Sequence, residues 1–288
     1  KVITVLAIVG TIMLLITFFT TKERIVPKPE QKSTLMEDLG DLFKNRPWII
    51  MLVVTILVFI TLAMKGGAYV YYFENYVSQE ELQKFLNPIK PYLPAFENDT
   101  SLGLGVFNGG GILVGLVGIM LSKSLADRFG KRNVFMTSLF ISTLFIIAFY
   151  FYPPQSVKLI FATQILHGFF YGISTPILWT MIADVADYSE WKTNRRATAI
   201  IFSAMMVGLK AGLSIGGSLV AGILGFYHYV SQSAAPQPAS AIQGTKMLVS
   251  IYPAIPFLIA VGLLFFYVID KKMEMQIESD LKQKRYSS

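Results

Sequence analysis

Polar side chains within long apolar runs are the residues of this sequence that could do chemistry. Lys210 lies roughly 20 Å into one such run, at a depth where a charge is costly and usually functional. At 100° per residue, Ser203 and Ser214 share its face, whereas Gly208 and Gly212 point nearly the opposite way. We therefore expect a helix with a polar face toward a ligand cavity and a small-residue stripe toward a neighbouring helix. A structural ion pair for the lysine is the alternative.

Two other runs also place polar and aromatic groups on one helical face. Lys65 shares a face with Tyr69, and Gln164, His167 and Tyr171 share a face in a later run. Sugars present hydroxyls and flat C–H faces, which suit aromatic rings with hydrogen-bonding neighbours. These residues are therefore candidates for lining a cavity. An aromatic belt at the membrane interface and a simple interhelical hydrogen bond from the histidine are the alternatives.

Trp179 is a further candidate in the later run, either for stacking on a ligand or for packing between helices. Pro176, just before it, is expected to kink the helix. Asn108 within the run GVFNGGG is one more candidate, although the glycines there favour close packing. The two histidines, His167 and His228, lie in different segments without metal-ligand partners, and there is no cysteine. We therefore expect neither an enzyme nor a bound metal or organic cofactor.

The elements that carry these residues are long apolar helices. The chain is 53% hydrophobic and only 15% charged, against roughly a quarter charged residues in a soluble domain. Runs near twenty residues that are apolar all round indicate transmembrane helices rather than barrel strands. The prediction is an all-α polytopic membrane protein with seven spans. They are about 2–21, Pro47 to Tyr76 with an interruption at Lys65-Gly66-Gly67, 101–121, 133–152, 157–182, 197–227 and 247–270.

The lysines and arginines are distributed unevenly between alternate loops. Of the 25 in the chain, 18 fall on one side of the predicted spans and four on the other. Because positively charged loops stay in the cytoplasm, this bias predicts a multi-pass protein with a cytoplasmic C-terminus. It also accounts for the net charge of +7 without nucleic acid as a partner. The 18 lie in 22–46, 122–132, 183–196 and after 270, and the four in 77–100, at Lys158 and in 228–246.

The segment 22–46 is predicted to be a cytoplasmic linker that contains a short helix. Thr34, followed three residues later by Glu37, indicates a capping box. The apolar residues that follow fall on one face, as expected of an amphipathic helix on the membrane surface. They are Leu35, Leu39, Leu42 and Phe43.

Several segments resemble known transporters. The turn LADRFGKRN, residues 125–133, is similar to the signature cytoplasmic turn of the major facilitator superfamily, in which basic residues tie neighbouring helix ends to an acidic group. Over nearly the whole chain the sequence resembles the glycoside–pentoside–hexuronide:cation symporters, the melibiose-carrier family. The segments that carry this resemblance are ADVADYSEWKTNRRATA (183–199), FSAMMVGLKAGLSIGG (202–217), FKNRPW (43–48) and KGGAYVYYFENYV (65–77).

The resemblance implies a domain organisation. Members of that family have twelve spans in two halves of six, and this chain enters an apolar run at once after Lys1, which we interpret as a truncation. The first five spans would then be missing, and 47–270 would divide into two inverted three-helix repeats, 47–152 and 157–270. The implied domains are 1–21 as the last helix of the N-terminal half, 22–46 as the inter-half linker, 47–270 as the C-terminal half and 271–288 as a cytoplasmic tail.

The resemblance also implies a function and a set of site residues. The expected activity is cation-coupled symport of a sugar or glycoside by alternating access across the inner membrane. The coupling cation would be Na⁺ or H⁺, with its site in the missing N-terminal half, which is the expected partner of this half. Lys210 would lie near the sugar and cation sites. The signature turn would comprise Asp127, Arg128, Lys131 and Arg132, and the cytoplasmic gate Asp184, Asp187, Glu190 and Arg196.

Each of these implications has an alternative. The gate residues are expected to pair mainly with the missing half, but they could equally be ordinary solvated charges, for which an ion pair is worth about 0–1 kcal/mol. The carrier could act on a lipid or another non-sugar solute. A membrane subunit that does not transport is the alternative from another class, and a sealed apolar interior would favour it.

Overall fold

The computed structural model describes residues 2–21, 40, 42–93, 98–194, 198–231 and 236–287. Most of the predicted amphipathic linker helix and Arg196 of the predicted gate lie outside these residues. The described residues form α-helices and two short 3₁₀ turns, and no strand occurs among them. The helices are α1 (Val2–Thr20), α2 (Arg46–Asn75), α3 (Gln79–Leu86), α4 (Asp99–Phe129), α5 (Lys131–Ala148), α6 (Val157–Thr193), α7 (Thr198–Phe226), α8 (Ala239–Val249), α9 (Ile251–Leu264) and α10 (Lys271–Ser287).

Seven stretches of the described chain are long and apolar enough to cross a membrane. They are α1, α2, α4, α5, α6, α7, and α8 together with α9. This confirms the predicted all-α polytopic membrane fold.

Helix α1 belongs to a unit of its own, residues 1–35. Its threonine hydroxyls donate to backbone carbonyls four residues earlier, from Thr11, Thr17 and Thr20 at 2.7–2.9 Å. Each of these polar side chains is therefore satisfied within the helix. That arrangement suits a segment surrounded by lipid, where no water is present to take the bond.

The six spans after α1 form two groups of three, and each group packs against the other in the same way. The first group is α2, α4 and α5, and the second is α6, α7 and α8 with α9. The first helix of each group lies along the second helix of the other, so that α2 packs on α7 and α6 packs on α4. The third helix of each group contacts the first helix of the other, since α5 packs on α6 and α9 packs on α2. Two related three-helix units would give this pattern. It is consistent with the predicted repeats, 47–152 and 157–270, which stay a prediction.

Glycines allow both of the close helix pairs. A β-carbon at Gly118 of α4 would lie 2.2 Å from the carbonyl oxygen of Phe169 in α6. A β-carbon at Gly212 of α7 would lie 2.6 Å from the carbonyl oxygen of Ile56 in α2. Because the obstacle is backbone, no larger residue fits without moving the helices apart. The predicted small-residue stripe of α7 is confirmed.

Several predicted boundaries were wrong. Helix α2 runs unbroken through Gly66 and Gly67, since neither glycine is obliged to leave the helical conformation. Helix α6 continues to Thr193 rather than ending near residue 182, so the charged stretch after it is helical. At 37 residues it is roughly 55 Å long, well beyond a hydrocarbon core of about 30 Å. Its charged end can therefore extend past the membrane.

The last span also differs from the prediction. It occupies Ala239 to Leu264 rather than 247–270. It is broken at Ser250, where the backbone leaves the helical conformation. Pro253 accounts for the break, because it has no N–H to donate to the carbonyl of Val249 and its ring crowds that carbonyl.

The segment after residue 270, predicted only as a tail, forms α10. Ile277 and Leu281 of this helix are buried in a cluster of apolar side chains together with Val185 and Ala186 of α6. A second apolar cluster lies elsewhere in the bundle and includes Leu82 of α3. The C-terminal helix is therefore part of the packed unit.

Candidate functional site

A cleft of about 340 Å³ lies between α2, α4, α6 and α9. It is within the size range of small-molecule sites, about 300–1,000 Å³. Its lining includes Lys65, Tyr69, Gln164, His167 and Tyr171. The structure thus brings together five candidate residues that the sequence placed on two separate helical faces.

Regular helix geometry positions these side chains. Residues three and four apart stand one above the other on a helix, so the candidates on α2 and those on α6 each form a row. The glycine contacts between α4 and α6 hold α4 against the row on α6. As a result, Asn108 of α4 reaches the rim of the cleft, where it is exposed.

Buried hydrogen bonds connect the polar groups of the cleft. Nζ of Lys65 is hydrogen-bonded to Nε2 of His167. Nδ1 of His167 lies 2.8 Å from Oγ of Ser142 and 3.1 Å from the carbonyl oxygen of Ser142. The hydroxyl of Tyr69 donates to Oε1 of Gln164 at 3.2 Å. Only 7% of Lys65 and 5% of His167 are exposed, so these bonds satisfy groups that have little access to water.

Three aromatic residues line the cleft: Tyr69, Tyr171 and Phe257. The ring of Tyr171 lies parallel to that of His167, with centroids 5.9 Å apart, and parallel to Phe257 at 6.2 Å. Tyr69 meets Phe107 edge to face at 4.8 Å. Flat faces beside hydrogen-bonding groups are what a sugar ring requires.

Ser142 and Phe257 are site residues that the sequence did not single out. Ser142 is one of several hydroxyl residues in its run, with Thr137, Ser138 and Thr143, and nothing in the sequence marks it as the one that faces a histidine on another helix. Phe257 lies in a span rich in apolar residues, and only the break before α9 fixes which of them reaches the cleft.

The polar face of α7 lies apart from the cleft lining. Lys210, Ser203 and Ser214 are all exposed, whereas Gly208 and Gly212 on the opposite face are buried against α2. The predicted two-faced helix is therefore present. A role for these three polar residues in binding or coupling stays a prediction.

Trp179 also lies outside the cleft lining. It is half-buried and packs against an apolar cluster that includes Met181 and Ile182. Of the two roles considered for it, helix packing is the one that the geometry shows.

The predicted signature turn is fixed by polar contacts. Nζ of Lys131 lies 2.6 Å from Oδ1 of Asp184 on α6 and 2.8 Å from Oε1 of Glu274 on α10. Arg132 donates to the carbonyl oxygen of Tyr267 at 2.9 Å. Lys131 therefore ties the start of α5 to acidic groups on α6 and α10, whereas Arg132 binds a backbone carbonyl.

Other contacts extend this charged end. Nζ of Lys271 donates to the carbonyl oxygen of Asp127 at 2.6 Å, and Arg128 lies over the ring of Phe129. The phenol of Tyr267, just after the last span, is buried near two carboxylates. Burial and the negative charges of Asp184 and Glu274 raise the pKa of this phenol well above its ordinary value, so it stays neutral.

Asp184 of the predicted gate has a partner within the described bundle, whereas pairing of the gate with a second half stays a prediction. That partner is Lys131. The physical reason is that α6 stays helical past its membrane-crossing part, which carries Asp184 alongside the turn between α4 and α5. Asp187 lines a small pocket together with Lys131, Asp184 and Glu274. Glu190 is half-buried one turn further along α6.

A bundle of apolar membrane-crossing helices around an internal polar cleft defines a multi-pass membrane protein. Residues 2–271 match the family model described as MFS/sugar transport protein. The chain belongs to this family, whose members are transport proteins of the major facilitator type. Its membership agrees with the prediction that the chain is not an enzyme.

Curated relatives carry transporter names. The chain is 28% identical to a putative glycoside/cation symporter, YagG of Escherichia coli, over 97% of its own length and 55% of the relative. It is 31% identical to the inner membrane symporter YicJ of Escherichia coli, over 90% and 51%. It is 27% identical to the isoprimeverose transporter of Lactiplantibacillus pentosus, over 97% and 54%. The chain spans about half the length of these relatives.

Proposed function

We propose that this chain forms part of a secondary carrier that moves a sugar or glycoside across the inner membrane by alternating access, coupled to Na⁺ or H⁺. The observation that carries the proposal is the cleft, in which buried hydrogen-bonding groups face flat aromatic rings within membrane-crossing helices. The names of the relatives, among them glycoside/cation symporter and isoprimeverose transporter, support the same substrate class.

In this proposal residues 47–270 are one of two helical halves that rock against each other. The segment 1–21 belongs to the other half, 22–46 joins the halves, and 271–288 lies in the cytoplasm. The exposed polar face of α7 would then meet the second half. That face, with the cleft, would line the path of the substrate.

The coupling cation must be held largely by groups outside the cleft described here. Within the described chain, the cleft lining contains no aspartate or glutamate, and Na⁺ is bound by oxygen ligands. Carboxylates of the second half are therefore the proposed cation ligands. The proposed role of the cleft is therefore to form hydrogen bonds and stacking contacts with the sugar.

The charged end of the bundle would act during closure. Lys131, Asp184 and Glu274 hold the ends of α5, α6 and α10 together, so that this half can move as one body. The proposed cytoplasmic gate would then consist of the remaining residues of that stretch, Asp187, Glu190 and Arg196.

Uptake into proteoliposomes tests the proposal. The product of the natural gene is reconstituted, an inward Na⁺ or H⁺ gradient is imposed, and accumulation of labelled isoprimeverose and methyl β-D-glucuronide is measured. Accumulation that collapses with the gradient supports the proposal. A well-inserted protein that accumulates neither probe, but moves a lipid or another non-sugar solute, would contradict it. A protein that moves nothing would favour the non-transporting subunit.

A further inference from the structure

An apolar groove of about 400 Å³ lies between α4, α5 and α6, and it shares no lining residue with the cleft. Leu125 and Phe129, one turn apart on α4, line one side of it. Phe170 and Ile173 of α6 line it as well. The residues that α5 contributes are Asn133, Val134, Thr137, Ser138 and Ile141. The hydroxyl of Ser138 donates to a carbonyl oxygen of its own helix at 3.1 Å, so it adds little polarity to the groove.

The groove lies at membrane depth. Helix α5 begins at Lys131 and belongs to a membrane-crossing stretch. Asn133 is close to its start, and Ile141 is about 12 Å further along at 1.5 Å per residue. The groove therefore runs from the end of the span well into a hydrocarbon core of about 30 Å. Water is absent at that depth, and the occupant that the bilayer supplies for an apolar groove is an acyl chain.

A basic pocket of about 280 Å³ adjoins this apolar groove, because Asn133 lines both. Its other lining residues are Gly130, Arg132, Asp270, Lys271 and Lys272. The carboxylate of Asp270 accepts the backbone N–H of Met273 at 2.8 Å, as a cap for α10. Three cations and one carboxylate leave the pocket with a net positive charge.

The three cations are not neutralised within the described chain, where none of them forms an ion pair. Arg132 donates to the carbonyl oxygen of Tyr267 at 2.9 Å, and Lys271 donates to that of Asp127 at 2.6 Å. Carbonyl oxygens carry no net charge, so both side chains keep theirs, and each has further N–H donors. Lys272 is exposed. The pocket can therefore bind an anion.

We propose that the apolar groove and the basic pocket together bind one anionic phospholipid, with its phosphate in the pocket and an acyl chain in the groove. Such a lipid has a charged end directly beside an apolar chain, and the two cavities adjoin in the same order. The guanidinium of Arg128, 5.2 Å from the ring centre of Phe129, places another cation beside the groove. Basic pockets between helix ends suit anionic headgroups. This inference goes beyond the proposed function, because it does not depend on the solute that is carried.

The alternative is that these cations serve only to orient the protein in the membrane. A topological bias requires basic loops, but it does not require that they adjoin an apolar groove. It also makes no distinction between Lys272 and other lysines at the same end of the bundle. A matched pair of lysines therefore separates the two explanations.

Two lipids that differ only in their headgroups test the site. The purified product of the natural gene, in mild detergent, is titrated with dioleoyl phosphatidylglycerol or dioleoyl phosphatidylcholine, and the first bound lipid is quantified by native mass spectrometry. We expect phosphatidylglycerol, which alone has a net negative charge, to bind about tenfold or more tightly. Lys272→Gln should lower the ratio of the two affinities several-fold. Lys271→Gln together with Lys272→Gln should lower it about tenfold.

Control variants separate this site from general surface charge and general crowding. Lys123→Gln, at an exposed lysine of α4 outside both linings, should keep the wild-type ratio. Thr137→Trp fills the groove and should weaken phosphatidylglycerol binding several-fold. Leu144→Trp, exposed on the same helix but outside the groove, should not. Glycerol 3-phosphate, which has the phosphate without acyl chains, should not displace the lipid at millimolar concentration.

Several results would overturn the proposal. Equal affinities for the two lipids, or an equal loss of selectivity in Lys123→Gln and Lys272→Gln, would mean that no defined headgroup site exists. Unchanged binding by Thr137→Trp would remove the groove from the site. Displacement by glycerol 3-phosphate would assign the pocket to a soluble phosphate compound. Failure to bind either lipid would mean that another part of the protein covers the groove. None of these results bears on whether the protein transports a glycoside.

Discussion

Lys131 and Asp184, 53 positions apart, are joined by a contact of 2.6 Å between Nζ and Oδ1, and Glu274 approaches the same ammonium at 2.8 Å. The contact links the turn between α4 and α5 to the end of α6 and to the C-terminal helix. All three elements belong to one bundle. Lys131, Asp184 and Glu274 therefore fasten the ends of three helices of this bundle to one another.

The first prediction concerns this ion pair. The side chain of Asp184 is 14% exposed and that of Lys131 is 24% exposed, so removing one charge leaves a poorly solvated partner. Asp184→Asn should lower the free energy of unfolding by about 1–3 kcal/mol. The measurement is denaturant unfolding in mild detergent. Glu80→Gln, which weakens an exposed pair with Lys84, is the control and should leave stability unchanged. Equal effects of the two substitutions would mean that the Lys131 contact is not stabilising.

The second prediction concerns the attachment of α10. The indole nitrogen of Trp191 donates to Oδ2 of Asp280 at 2.8 Å, which fixes the C-terminal helix to α6. Trp191→Phe keeps a ring at the position but removes the donor. We expect trypsin to cleave at Lys282 and Lys284 several-fold faster in this variant, as followed by mass spectrometry. Tyr188→Phe, on the same helix, should cleave at the wild-type rate. Unchanged cleavage in both variants would show that the apolar contacts of α10 suffice to hold it.

The third prediction concerns helix packing. A β-carbon at Gly118 would lie 2.2 Å from a backbone oxygen, whereas one at Gly109 of the same helix would meet nothing within 4 Å. Gly118→Ala should therefore destabilise the protein by about 1–3 kcal/mol or prevent its assembly. Gly109→Ala should be neutral or slightly stabilising, because alanine favours the helix. Thermal unfolding in detergent compares the two. Tolerance of Gly118→Ala would contradict the close approach of α4 and α6.

The fourth prediction concerns orientation. The chain contains no cysteine, so single cysteines report topology without background. Ser189, a natural choice in the gate stretch, is only 3% exposed and would label poorly. Lys192→Cys and Gln83→Cys are exposed instead. A membrane-impermeant maleimide added outside intact cells should label Gln83→Cys alone, as the charge bias predicts. Labelling of Lys192→Cys alone would reverse the proposed topology.

Much of the fold could be predicted because lipid restricts the choice of structure. Continuous apolar runs must be helices, and helical periodicity then places Lys65 with Tyr69, and His167 with Tyr171. The glycine stripe of α7 followed from the same geometry. These inferences needed only local sequence, which explains why they agree with the structure.

What could not be predicted depends on contacts between distant segments. Nothing near Ser142 in the sequence indicates that it meets His167 on another helix. That Asp184 meets Lys131 depends on how far α6 stays helical. Helix α10 has a polar sequence, and its burial of Ile277 and Leu281 depends on the surface that α6 presents to it. Each of these is a tertiary relationship that local pattern does not encode.

Concentrative uptake by a Lys210→Ala variant tests the proposed transport path most directly. Lys210 lies on the exposed polar face of α7, where we propose that the path of the substrate meets a carboxylate of the second half. Proteoliposomes containing the product of the natural gene are given an inward Na⁺ or H⁺ gradient, and the transported glycoside is followed in wild type, Lys210→Ala and Lys210→Arg, with membrane insertion measured in parallel. Lys84→Ala serves as an exposed-lysine control. We expect Lys210→Ala to lose accumulation and Lys210→Arg to be impaired because its planar group changes the geometry. The control should accumulate normally. Wild-type accumulation by a well-inserted Lys210→Ala protein would contradict the proposed transport path.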